Sequence, residues 1–303
     1  MSDESDTARP AFWPPDSGPR LPRIALMGEF SAGKSTLANL MIGTNPLPVQ
    51  VVATQLPPVL IQHGTSPTVM VDLEGNETPC TMDAFQDIDP DTTAYIRFHC
   101  VEEILTRCDL IDMPGISDPN MSSAVWERVL PLADAVIWCT PATQAWRQSE
   151  ASVWQGIDAA IRENSMLVIT RADMMLTEWD RAKVLNRVRS EAGDQFAQLL
   201  MMSLSQARDG AQDAALWAES GADAFVAQFL AMVDRLAGGL SVAQAVPEAA
   251  ENQTTIATSE EANIDIPQIV PRRPALRRQH PPEEPKTPEE ARPDPASYMP
   301  KFS

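Results

Sequence analysis

Apolar residues come along this chain in short runs separated by polar stretches bearing glycine and proline, and two spacings alternate. Runs at 23–27, 58–63, 68–73, 94–101, 107–112, 134–139, 165–170 and 199–204 have the length of strands. Between them, apolar positions recur at helical spacing over 34–42, 121–131, 147–162, 177–198 and 213–237. Strands alternating with helices predict an α/β domain with a mostly parallel sheet and helices on both faces. In the last helix Leu216, Trp217, Phe229, Leu230, Val233 and Leu236 form a stripe expected to face the core rather than a membrane. The pattern stops on both sides. Residues 1–20 are short of large aliphatic side chains and carry Pro10, Pro14, Pro15 and Pro19, and from Gln244 onward the composition shifts to Pro, Glu, Arg, Gln and Thr. Such segments cannot bury enough apolar surface to offset their ordering entropy. The expected organisation is a disordered segment at 1–20, one domain at 21–240 and a disordered Pro-rich charged tail at 241–303.

The first predicted strand runs directly into Gly28-Glu29-Phe30-Ser31-Ala32-Gly33-Lys34-Ser35-Thr36, which fits G-x-x-x-x-G-K-[ST], and a helical pattern follows. Strand, loop and helix in that order are the context in which this motif binds phosphate. Gly28 and Gly33 let the chain bend so that successive N–H groups point into one concavity, and the helix N-terminus adds partial positive charge. Lys34 is expected on the β- and γ-phosphates and the Ser35 hydroxyl on Mg²⁺. The competing reading is a glycine-rich turn with an incidental lysine.

Two later motifs point to guanine. Asp112-Met113-Pro114-Gly115 fits D-x-x-G after the run Cys108–Ile111. Asp112 is expected to hold Mg²⁺ through water, and the Gly115 N–H to reach the γ-phosphate. Thr170-Arg171-Ala172-Asp173, after Met166–Ile169, resembles the guanine-reading signature [NT]-K-x-D. The Asp173 carboxylate can accept from guanine N1–H and the exocyclic amino group, a donor pair adenine lacks. Arg171 stands in the usual lysine's place, and its stem and planar head could lie against the base. The competing reading is a helix N-terminus with a capping aspartate. Thr54, 19 positions beyond Ser35, is expected to supply a hydroxyl and a carbonyl to a switch around Mg²⁺, with Thr44 and Thr65 as competitors. Ser203-Leu204-Ser205-Gln206-Ala207, after Leu199–Met202, sits where a final strand is expected to hand a backbone N–H to guanine O6, with Ser203 as its site residue, although a polar strand end explains it equally well.

Together the five segments resemble a P-loop G domain, and the full string Gly28–Thr36, the long stretch between Thr54 and Asp112, and the proline of Asp112-Met113-Pro114-Gly115 resemble dynamin-like large GTPases. The resemblance covers about residues 20–240 and implies hydrolysis of GTP to GDP and phosphate with Mg²⁺. The implied roles are phosphate binding for residues 28–36, Mg²⁺ binding for Ser35, Thr54 and Asp112, and catalysis by Lys34, Ser31, Thr54 and Gly115. Two departures stand out. Phe30 occupies the place of a glutamine that helps position the attacking water in eukaryotic dynamins. The chain after residue 240 is too short for the family's helical stalk. Ile116 lies where many small GTPases carry a catalytic glutamine, so slow intrinsic turnover is expected unless a partner or self-association, such as a homodimer through the G domain, completes the site. The alternative is a nucleotide-gated binding module with negligible hydrolysis. An adenine-using kinase or ATPase would require Asp173 to be incidental.

The remaining features narrow the picture. The formal net charge is −19, and the residues after Val246 hold 10 acidic and 7 basic side chains, leaving −16 to the body. That balance argues against nucleic-acid binding. Two tail segments, a basic island at 271–278 and an acidic proline-rich stretch at 281–290, are candidate docking peptides for a protein partner, against the plainer reading of a solvated linker. Cys80, Cys100, Cys108 and Cys139 show no C-x-x-C spacing, and three scattered histidines do not suggest zinc. The N-terminus lacks a signal pattern and no run is long enough to span a membrane, so a cytoplasmic protein is expected. The acidic insert 74–93 is read as a solvated loop. Segment 144–150, beside the expected nucleotide edge, is read as a helix start capped by Ser149 and Glu150.

Overall fold

The computed structural model describes residues 10–14, 20–43, 56–118 and 121–245. Its strands are β1 (Arg23–Gly28), β2 (Val59–His63), β3 (Val69–Asp72), β4 (Glu77–Pro79), β5 (Thr93–Cys100), β6 (Asp109–Asp112), β7 (Ala135–Pro141), β8 (Met166–Thr170) and β9 (Gln198–Met201). Its helices are α1 (Lys34–Ile42), α2 (Ala124–Glu127), α3 (Gln148–Gln155), α4 (Ala159–Glu163), α5 (Glu178–Ala192), α6 (Leu204–Asp209), α7 (Ala214–Glu219) and α8 (Ala222–Ala245). One sheet joins the strands in the order β4-β3-β5-β2-β6-β1-β7-β8-β9. From β6 to β9 every pairing is parallel. On the other side β2 runs antiparallel to β6, and β3 antiparallel to β5 and β4.

Alternation along β1 shows why helices cover both faces. Ile24 and Leu26 join one core with Leu37 and Ala38 of α1 and Phe225, Phe229 and Val233 of α8. Ala25 and Met27 join the other with Trp138, Trp126, Trp154 of α3 and Val188 of α5. Successive side chains of a strand point to opposite faces, so a strand buried on both reads as one continuous apolar run. Every residue of β1 is buried.

The structure departs from the sequence pattern where local chemistry interrupts it. The helix expected at 147–162 breaks at Gly156, and Asp158 caps α4 by accepting from Ala160 N (2.8 Å). The helix expected at 213–237 is α7 and α8, divided at Gly221, whose φ is +83° and whose Cβ would stand 2.6 Å from the Met201 carbonyl. Only glycine makes that turn so close to a strand. The acidic insert is not a simple solvated loop. Glu77–Pro79 pairs with β3 as an edge strand and Phe85 is buried against the core.

Residues 10–14 fall in the segment expected to be disordered, yet they pack on the sheet. Phe12 is only 9% exposed, and its carbonyl accepts from the Tyr95 hydroxyl (3.1 Å). One buried aromatic offsets the ordering of a few residues. Phe12→Ala is expected to destabilise the domain by about 3 kcal/mol, the low end for a phenylalanine truncation because the segment is terminal. A urea midpoint equal to the parent's would show that the segment contributes nothing. At the other boundary, α8 runs to Ala245, past the expected end at 240, and the chain from 246 lies outside the described residues.

Candidate functional site

The ends of β1, β6 and β8 lie on one edge of parallel strands, and three of the motifs begin there. Gly28 ends β1 at φ +137°, and a Cβ on it would stand 2.0 Å from the Cys139 carbonyl of β7. Gly33 caps α1 in the left-handed region (φ +95°), with Leu204 Cδ1 2.8 Å from a would-be Cβ. Between them Ser31 also takes positive φ (60°), and Ala32 N–H donates to Glu29 O (3.2 Å). The result is a tight loop leading into the unsatisfied N–H groups at the start of α1. Thr36 continues that helix's first turn.

Lys34 folds back over this loop. Its ammonium is buried and donates to Glu29 O (2.8 Å) and Gly28 O (3.2 Å). Burial pushes its pKa below the usual lysine value, opposed chiefly by the nearby Asp112 carboxylate. Ser35 Oγ donates to Asp112 Oδ2 (2.7 Å). Among the described residues the other oxygen, Oδ1, is buried with no hydrogen-bond partner. Burial raises the Asp112 pKa, while the Ser35 hydroxyl and Lys34 pull it down. A buried carboxylate oxygen without a donor is costly in itself and suits a hard cation. The donor set of Ser35 hydroxyl and Asp112 carboxylate therefore fits Mg²⁺.

The D-x-x-G loop lies directly on the phosphate loop. A Cβ on Gly115 would meet Phe30 Cα at 2.8 Å and Phe30 N at 2.9 Å. Ile116 N–H donates to Gly28 O (3.2 Å), and Phe30 N–H to Ser117 Oγ (3.3 Å). Ser117 was not singled out by the motif. Phe30 is 50% exposed.

At the base-reading end the structure redistributes the expected roles. Thr170 is buried and its hydroxyl donates to Ala32 O (2.8 Å), so it braces the phosphate loop. Arg171, at φ 58°, donates through Nη2 to Ser31 O (2.6 Å) and Ser31 Oγ (2.9 Å). Its head thus lies on the phosphate loop, where the sequence suggested the base. Asp173 Oδ1 accepts from Ser203 Oγ (2.6 Å). Within the segment expected to donate to guanine O6, the Ser203 N–H goes to Ser220 O (2.8 Å). The cause is an early strand end. β9 stops at Met201, and Ser203 caps α6, its hydroxyl accepting from Gln206 N (3.2 Å). The next first-turn amides of the same segment, Leu204 and Ser205, have no carbonyl one turn back and are its remaining candidate donors.

A second layer was only half visible in the sequence. Glu29, 8% exposed, accepts from Ser149 Oγ (2.6 Å) and Arg147 Nη1 (3.0 Å). Glu150 is fully buried and accepts from Trp138 Nε1 (2.9 Å), Thr140 Oγ1 (3.0 Å) and Arg147 N–H (2.9 Å). Burial raises the Glu150 pKa, and these donors, the Arg147 N–H first, oppose the rise. Glu150 thus caps α3 as expected, whereas Ser149 serves the phosphate loop instead. Thr54 and Thr44 lie outside the described residues. The chain resumes at Leu56, and Val59 is in register with Asp112. A cleft lined by Gln62, Pro67, Glu77, Arg97 and His99 lies towards the other end of β2, away from these motifs.

Among the described residues no cluster of three His, Cys, Asp or Glu side chains forms a metal centre, and no helix is long and apolar enough to cross a membrane. The chain is 26% identical over 192 residues to Dynamin-like protein 2 of Campylobacter jejuni subsp. jejuni serotype O:23/36 (strain 81-176), a match covering 61% of this chain and 31% of that relative's length. A solved structure of an oligomerised bacterial dynamin pair shares the fold with a TM-score of 0.55 at 17% identity, over 72% of this chain and 38% of its own. Residues 24–172 match the family model of the dynamin family, and the chain therefore carries a dynamin-type G domain.

Proposed function

We propose that this domain binds GTP with Mg²⁺ and hydrolyses it to GDP and phosphate. The observation that carries the reading is the orphaned Asp112 Oδ1 beside the Ser35 hydroxyl, within the field of Lys34. Positioning and charge neutralisation do most of the work in phosphoryl transfer. Lys34 exchanges its two loop carbonyls for phosphate oxygens, and the amides of residues 29–36 surround the phosphates. Ser35 and Asp112 hold Mg²⁺, with Thr54 assigned to the same shell by its spacing. When bound, the ion neutralises charge developing on the phosphate oxygens. The Gly115 backbone, the Thr54 carbonyl and Ser31 orient the attacking water. Asp173, held by the Ser203 hydroxyl, reads the base. The domain self-associates as a homodimer, and the proline-rich tail captures a protein partner.

One observation favours the rival reading of a nucleotide-gated binding module. Phe30, half-exposed, and Ile116 put no side-chain amide where a water needs orienting. Phosphate release from GTP at increasing protein concentration, with ATP as control, separates the two. We expect GTP-selective release whose rate per protein rises with concentration. Tight GTP binding without release in a single turnover would establish the rival, and equal use of ATP would remove Asp173 from the base site.

A further inference from the structure

A carboxylate inside a loop that receives a triphosphate needs an explanation. Glu29 is the second residue of that loop, and its backbone carbonyl already holds Lys34. Like charges close together in a partly dry site repel strongly. In this chain the carboxylate does not face solvent. It is held between Ser149 Oγ and Arg147 Nη1, on the α3 side of the sheet, while the phosphate-binding helix α1 packs on the opposite side. Its holders are themselves anchored. Arg147 N–H donates to Glu150, which is fixed by Trp138 and Thr140 of β7. We propose that Arg147 and Ser149 are positioning residues for the nucleotide phosphates, clamping and neutralising Glu29 so that the loop presents donors without an opposing charge.

The inference rests on the GTP-binding reading and deepens it. Arg147 acts through Glu29 and need not touch the nucleotide. Two consequences distinguish this from simple structural support. The effect of losing Arg147 grows with ligand charge, being larger for GTP than for GDP. It also disappears when the Glu29 charge is removed as well. Breaking one partner of such a pair leaves an uncompensated charge, whereas removing both does not.

The experiment measures GTP and GDP dissociation constants for the full chain, Arg147→Met, Arg147→Lys, Ser149→Ala and the double variant Glu29→Gln/Arg147→Met, with thermal midpoints taken without ligand. We expect Arg147→Met to weaken GTP about tenfold and GDP about threefold, less so at high ionic strength. Arg147→Lys should recover part of that loss and the double variant most of it. Should Arg147→Met fold poorly, Ser149→Ala, which keeps the charge balance, should still weaken GTP by about threefold. Equal affinities for the parent, Arg147→Met and Ser149→Ala overturn the clamp while leaving GTP binding standing. A tenfold loss that Glu29→Gln does not repair also overturns it, because Arg147 would then touch phosphate itself. A parent chain that binds neither nucleotide overturns the clamp and the functional reading together.

Discussion

Lys34→Ala is expected to weaken GTP binding at least about 100-fold while leaving the fold intact. The ammonium is buried and donates only to backbone carbonyls of its own loop, Glu29 O at 2.8 Å and Gly28 O at 3.2 Å, among the described residues. Burying that charge is unfavourable, as the lowered pKa of Lys34 records. Removing it relieves that cost and leaves two carbonyls at the mouth of the loop, where water can reach them once the side chain is gone. The net effect on stability should stay within about 1 kcal/mol. With GTP the same ammonium meets several phosphate oxygens, and each hydrogen bond between charged groups is worth about 1.5–3 kcal/mol. Two such bonds exceed the 100-fold loss. Nucleotide titration and a ligand-free melting curve read the two effects separately. Unchanged affinity would remove residues 28–36 from the phosphate site.

The second large effect is a change of base. Asp173→Asn should weaken GTP about 100-fold and strengthen XTP comparably, since two hydrogen bonds to a charged acceptor are replaced. Xanthine carries a carbonyl where guanine carries an amino group. An asparagine can donate to that carbonyl and accept from N1–H. The surroundings favour a clean exchange. The Ser203 hydroxyl, buried and 2.6 Å from Asp173 Oδ1, can donate to an amide oxygen as it does to a carboxylate. Competition between the two nucleotides for parent and variant decides the matter. A variant with the parent's preference would mean that Asp173 does not read the base.

What the chain reveals in advance follows from how local each constraint is. Strands β1, β7 and β8 are legible because burial on both faces makes their sequences almost continuously apolar. Gly28 and Gly33 are legible because the loop's curvature excludes other residues. β4 is not, since Glu77-Thr78-Pro79 is exposed along its length and carries no apolar alternation. The apolar stretch through Met202 and Leu204 cannot say where strand gives way to helix, and that boundary decides whether the Ser203 N–H is free. The direction of Arg171 depends on Ser31, 140 positions away in sequence. The Glu29 clamp depends on partners 118 and 120 positions distant. Contacts of that kind have no periodicity, so only the folded chain displays them.

The contacts around three glycines have a consequence for how such a site can change. A methyl group at Gly28 would overlap the Cys139 carbonyl, at Gly115 the Phe30 backbone, and at Gly33 the Leu204 side chain. The first two obstacles are main-chain atoms of neighbouring segments, which no rotamer change can move aside. The third is the end of a flexible side chain, although the positive φ of Gly33 still resists substitution. The proposed phosphate site is thus a frame whose corners are closed to variation. Diversification in turnover or partner dependence has to come from the side chains between those corners, Glu29, Phe30, Ser31 and Ile116, and from the residues that reach them from behind.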